Sequence, residues 1–142
     1  TSPLNREWLA ICAGIAAVLG HNYTCWLNFK GGKGVATSAG VLGALVPWTL
    51  VISLSLWILV VAFSRYVSLA SVCAALSLPF ATWATAPNDG PGQRTTLTII
   101  TGVLGALGIY KHKPNIQRLL AGTENRLGPK KPAPQPSQGP ST

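Results

Sequence analysis

Acidic residues are almost missing from this 142-residue chain: Glu7, Asp89 and Glu124 stand against eleven lysines and arginines. With no carboxylate cluster, no metal site and no cofactor are expected. Charge of either sign is scarce and is absent from Trp8–Phe29, Gly34–Ser64, Tyr66–Asn88 and Thr95–Tyr110. Cysteine is limited to Cys12, Cys25 and Cys73. Their odd number, apolar settings and lack of ligand spacing exclude a disulfide framework or zinc site and predict small buried apolar residues. Methionine is absent, position 1 included, which predicts a fragment of a longer polypeptide. No A-x-A-like cleavage site follows the first apolar run, so no targeting peptide is expected.

What is present is apolar surface. Residues of the apolar class make up 48% of the chain, and the mean hydropathy is +0.36. The charge-free runs approach or exceed the ~20 residues that cross a bilayer core, and none has the charged face of a soluble amphipathic helix. An all-α, polytopic membrane bundle of about five helical segments follows.

Trp8 to about Gly20 reads as a first helix, with Ala10 and Gly14 forming a small-residue packing face. The Gly34–Ser64 run holds Pro47 near its middle, so it is either one kinked helix or a hairpin of two segments. Tyr66–Ala86 reads as a span interrupted late by Pro79. After the loop signal Ala86–Gly92, Thr95–Tyr110 is a short last span with Gly102, Gly105 and Gly108 at spacing three. Residues 127–142 are rich in Gly, Pro, Ser, Gln and Lys and read as a disordered tail behind a membrane domain of residues 1–126.

Charge asymmetry favours the hairpin. If the chain turns back at Pro47, nine basic residues from Lys30 to Lys131 share one face with Glu124, net +8. Arg6, Glu7, Asp89 and Arg94 share the other, net zero. The positive-inside rule makes the basic face and the tail cytoplasmic. Topology thus accounts for the basic excess, and no nucleic-acid partner is expected.

Four clusters gather on that face. Gly20-His21-Asn22 precedes Phe29-Lys30-Gly31-Gly32-Lys33-Gly34-Val35-Ala36-Thr37, where glycines free backbone amides to meet an anion and two ammonium groups add charge. Leu27 and Gly34 stand where a Walker A loop needs glycine and serine or threonine. A basic turn at the membrane boundary is the plain alternative. In Arg65-Tyr66-Val67-Ser68-Leu69-Ala70-Ser71 the two serines share a helix face, although a snorkelling arginine before small packing residues explains the run as well. Lys111-His112-Lys113-Pro114-Asn115 places an imidazole between two cations, which favours its neutral, basic form; a basic helix end is the bland reading. In Arg118–Glu124 the only acid of that face could orient or pair a cation.

In order, these strings resemble the acyl-phosphate:glycerol-3-phosphate acyltransferase family of bacterial membranes. The resemblance rests on Gly20-His21, Phe29–Thr37, Arg65–Ser71 and His112, Asn115, Ile116, Arg118, Leu119, Gly122, Thr123 and Glu124, and covers about residues 8–126. It implies a seven-helix membrane enzyme of the bacterial inner membrane that acylates the 1-hydroxyl of glycerol 3-phosphate from acyl phosphate. The products would be lysophosphatidic acid and phosphate. Carried over, His112, Asn115, Lys33 and Ser68 are catalytic candidates. His21, Lys30, Gly31, Gly32, Lys33, Gly34, Thr37, Arg65, Ser71, Arg118 and Glu124 are substrate- or phosphate-binding candidates. Membrane lipid is an expected partner and no obligatory protein partner is implied. Thr24 replaces the family's usual proline, and the family's N-terminal Gly-Ser-Gly-Asn-Pro-Gly-type motif does not occur here, so the fragment alone is expected to be inactive.

The chemistry suits those residues. An acyl phosphate is already activated, so positioning and oxyanion stabilisation suffice without a protein nucleophile. The His-x4-Asp pair of another acyltransferase class is excluded, because Trp26 and Gln117 stand five residues after the two histidines. A polytopic transporter or a structural subunit remains the alternative function.

Overall fold

The computed structural model describes residues 3–29, 31–87 and 92–128. It contains α1 (Pro3–Asn22), a one-turn 3-10 helix (Cys25–Leu27), α2 (Val35–Leu45), α3 (Pro47–Ser64), α4 (Val67–Thr85), α5 (Gln93–Lys111) and α6 (Lys113–Leu120). Among the described residues three helical segments are long and apolar enough to cross a membrane: Trp8–Leu27, Pro47–Ser64 and Val67–Thr85. With 11 residues, α2 is ~16 Å long and reaches about halfway through a bilayer core. The short α6 adds one helix to the expected five, with proline in its first turn.

The hairpin reading of Gly34–Ser64 holds. Val46 leaves the helical region (φ −143°, ψ 68°) and Pro47 opens α3, where its missing N–H costs nothing. The chain returns far enough for Lys33, before α2, to share a cavity with Ser68, after α3.

Polar rungs cross the antiparallel α3–α4 pair. Thr49 Oγ1 donates to Thr82 Oγ1 (3.2 Å), Ser53 and Ser77 hydroxyls meet at 3.0 Å, and Trp57 Nε1 donates to Ser71 Oγ (3.2 Å). Thr49, Thr82 and Ser53 are buried. Lipid exerts no hydrophobic drive between helices, so such bonds, each worth about 0.6 kcal/mol, and close packing hold them together. Ile11, Leu42, Val46, Leu78, Ala86 and Leu97 form a small buried apolar cluster. Trp48, Ile58, Phe63, Phe80 and Trp83 point outward, as lipid-facing side chains do.

Pro79 does not break α4, which runs unbroken from Val67 to Thr85. Proline has no N–H for the carbonyl four residues back, that of Ala75, and α5 closes on that carbonyl. A Cβ on Gly105 would lie 2.5 Å from Ala75 O. The buried-cysteine expectation fails: Cys12 and Cys25 are exposed and Cys73 is half-buried. In a membrane bundle an apolar side chain can face lipid instead of protein.

Candidate active site

His112 ends α5 and caps α6, and it is buried. Its Nδ1 lies 2.8 Å from Gly108 O. A carbonyl only accepts, so Nδ1 carries the hydrogen and Nε2 is the basic nitrogen of the neutral ring.

One turn on, Asn115 is buried between two charges. Lys33 Nζ donates to Asn115 Oδ1 (2.7 Å), and Asn115 Nδ2 donates to Glu124 Oε1 (2.8 Å). This pairing fixes the amide orientation, since the ammonium can only donate and the carboxylate only accept. Arg118 Nε closes the chain on Glu124 Oε2 at 2.7 Å. The Glu124 carboxyl is lowered from 4.5 to about 2, first by Asn115, then by Ser68, and less by Arg118, against an opposing desolvation contribution. Ser68 is buried and favours that ionised form, yet its Oγ reaches no hydrogen-bonding geometry.

Two cavities converge here. A polar one of about 410 Å³ is lined by Lys33, Ser68, Ser71, His112, Asn115, Glu124 and the segment Asn125–Leu127, among others. An apolar one of about 240 Å³ runs from Lys33 and His112 toward Leu42, Leu50, Leu78 and Leu104. Lys33, Val35, Trp57, Ser71 and His112 line both.

The glycine loop takes a supporting place. Gly31 N–H donates to Asn22 O (3.2 Å), so it is not free for an anion as expected. A Cβ on Gly31 would strike the His21 carbonyl, and one on Gly34, at φ 71°, would lie 2.5 Å from Asn22 Oδ1. One on Gly32 would lie 2.5 Å from His21 Nε2. These glycines let the loop press on the end of α1 and aim Lys33. His21 is exposed, while Thr37 is half-buried on α2; neither lines the two cavities. Arg65 (φ 62°) turns the chain between α3 and α4, and its carbonyl accepts from Leu127 N–H (2.8 Å). Arg118 reaches the site only through Glu124. Lys30 lies outside the described residues.

Three contributors were not among the site residues named from the sequence, although Asn22 stood in the first cluster. Asn22 is buried, and its carbonyl also accepts from Lys111 Nζ (3.2 Å), which stacks 4.0 Å over the Tyr23 ring. Trp57 and Arg126 line the polar cavity. The Gly-His-Asn string beside the glycines was a usable signal for Asn22; nothing local singles out Trp57. Among the described residues no three His, Cys, Asp or Glu side chains gather as a metal site would need.

Fold and site together define a multispan helical membrane protein with a basic polar cavity set over an apolar one. The family model for glycerol-3-phosphate acyltransferase matches residues 2–122. Glycerol-3-phosphate acyltransferases of Fusobacterium nucleatum and Methylorubrum populi are 44% and 46% identical, over 82% and 87% of this chain and 57% and 58% of theirs. Two crystal structures of PlsY (YgiH), an integral membrane glycerol 3-phosphate acyltransferase, are 40% identical with a TM-score of 0.75. One is the glycerol 3-phosphate form and the other the lysophosphatidic acid form; each match covers 85% of this chain, and 57% and 59% of theirs. The chain belongs to the glycerol-3-phosphate acyltransferase family, and it spans a little over half the length of these relatives.

Proposed function

We propose that the protein to which this chain belongs moves a fatty acyl group from acyl phosphate to the 1-hydroxyl of glycerol 3-phosphate, forming lysophosphatidic acid. The observation that carries this reading is the meeting of the two cavities at Lys33, Trp57, Ser71 and His112. A donor with an apolar tail and an anionic head fits across such a junction, tail among the leucines and phosphate beside Lys33. The polar cavity leaves room for a second, water-soluble phosphate ester.

Lys33 offsets phosphate charge, and Asn115 holds that ammonium in place. Ser68 Oγ, buried without a formed bond, can donate to a substrate oxygen. The acceptor hydroxyl attacks the acyl carbonyl, the carbon–oxygen bond to phosphate breaks, and inorganic phosphate leaves. The hydroxyl proton goes to His112 Nε2. Relatives named for this activity support the assignment, as does the basic face, which we place on the cytoplasmic side of a bacterial inner membrane. Residues 1–126 form the membrane domain in this reading; residues 129–142 of the expected tail lie outside the described residues.

The test is lysophosphatidic acid formation by the full-length gene product in membranes supplied with acyl phosphate and glycerol 3-phosphate. Activity above a vector control is expected, and its absence sinks the proposal. In the same assay His112→Ala lowers turnover by about 100-fold or more if the imidazole is the base. Turnover within a few-fold of wild type assigns the proton to the donor's phosphate.

A further inference from the structure

Arg126 lies beyond the stretch matched by the family model, yet it lines the polar cavity together with Lys33. Asn125–Leu127 lines the same cavity and is tied down at two points. Leu127 N–H donates to Arg65 O at 2.8 Å, and Arg126 Nε donates to the Tyr66 hydroxyl at 2.7 Å. The Arg126 guanidinium also sits over the Tyr66 ring, 4.8 Å from its centroid.

These contacts fix the plane of the guanidinium and use one of its donors. The Nη groups make no bond to another described side chain or to described backbone. A guanidinium with Nε engaged keeps four N–H donors in a rigid fork, the geometry that binds a phosphate through two oxygens. The cavity also has an electrostatic need. Glu124 stays ionised, paired directly with Arg118 and linked through Asn115 to Lys33. With Glu124 offset by Arg118, Lys33 is left to face a doubly charged phosphate ester, and a second cation on the cavity wall strengthens that attraction.

We propose that Arg126, oriented by Tyr66, is a substrate-binding residue that grips the phosphate of glycerol 3-phosphate at the aqueous mouth of the site. The inference rests on the proposed function for the identity of that ester. The water-soluble acceptor is assigned to this wall because the donor's tail occupies the apolar cavity on the far side of Lys33 and His112.

The experiment uses the full-length protein in detergent or membranes and follows both kinetics and ligand binding. Arg126→Ala raises the KM for glycerol 3-phosphate by about 10- to 100-fold, as expected for losing a charge-assisted bidentate contact. It leaves the KM for acyl phosphate much less affected. Arg126→Lys restores part of the loss, and Tyr66→Phe, which keeps the ring and removes the hydroxyl, raises the same KM by a smaller factor. Calorimetric titration with glycerol 3-phosphate should show matching losses of affinity. A KM and affinity for glycerol 3-phosphate within two-fold of wild type in Arg126→Ala overturns the proposal. So does a loss confined to acyl phosphate. Wild-type protein that binds glycerol 3-phosphate through Arg126 but forms no lysophosphatidic acid removes the proposed reaction and keeps this inference.

Discussion

Asn115 shows how one uncharged side chain organises a site. Its amide has a donor end and an acceptor end, and Lys33 and Glu124 occupy one each. The ammonium and the carboxylate are thereby coupled without touching, and this bond uses one of the three Lys33 hydrogens. Glu124 pays back through its own titration. Its folded value lies near 2 against an ordinary 4.5, with Asn115 the leading cause and Ser68 next. A lowered folded value means that the stabilisation is complete above about pH 4.5 and is lost as pH falls toward 2. Thermal unfolding of full-length protein in detergent should therefore hold steady from pH 7 to 5 and then drop. Glu124→Gln should flatten that acid limb and lower the midpoint at neutral pH; an unchanged acid limb in the variant would refute the assignment. The residue types at positions 33, 112, 115 and 124 were legible in the sequence as candidates. Their bonding order was not, because Lys33 and Asn115 are 82 residues apart.

The helices divide their labour. Hydroxyl rungs join α3 to α4, whereas α5 joins α4 through its glycines. All three glycines recur at spacing three, yet the structure gives them unequal weight. A Cβ on Gly102 or Gly108 would find ordinary contact, at 3.8 Å from Pro79 Cβ and 3.7 Å from Ala75 Cβ. One on Gly105 would collide with the Ala75 carbonyl. Gly105→Ala should accordingly destabilise by about 1–3 kcal/mol through overpacking, with Gly102→Ala and Gly108→Ala close to neutral. Unfolding midpoints of the three variants in one detergent would check the ranking, and equal midpoints would contradict it. The same approach matters for the site, because α5 ends in Lys111 and His112. The hairpin at Pro47 has a parallel role, returning Lys33 to the level of α4's first turn.

For the whole molecule, one end of the bundle carries the site and the other carries the turns at Val46–Pro47 and Ala86–Pro87. Pro87, after α4, and Gln117, on α6, are both exposed and separated by α5. With native cysteines replaced in the full-length protein, Gln117→Cys should label with a membrane-impermeant maleimide from the cytoplasmic side. Pro87→Cys should label from the opposite side. The reverse pattern would invert the orientation, and labelling from one side alone would mean that α5 does not cross. The sequence by itself determined that this is an all-α membrane chain and which family it resembles, and it offered the candidates at positions 33, 68, 112, 115 and 124. Those properties reside in runs, charges and motif strings that lie close together along the chain. Only the tertiary structure decided which glycines support the loop instead of cradling an anion, that α6 and Asn125–Leu127 wall the cavity, and that a polar and an apolar cavity meet at His112. Each of these depends on contacts between residues distant in sequence, whose geometry is set by helix packing and leaves no local pattern to read.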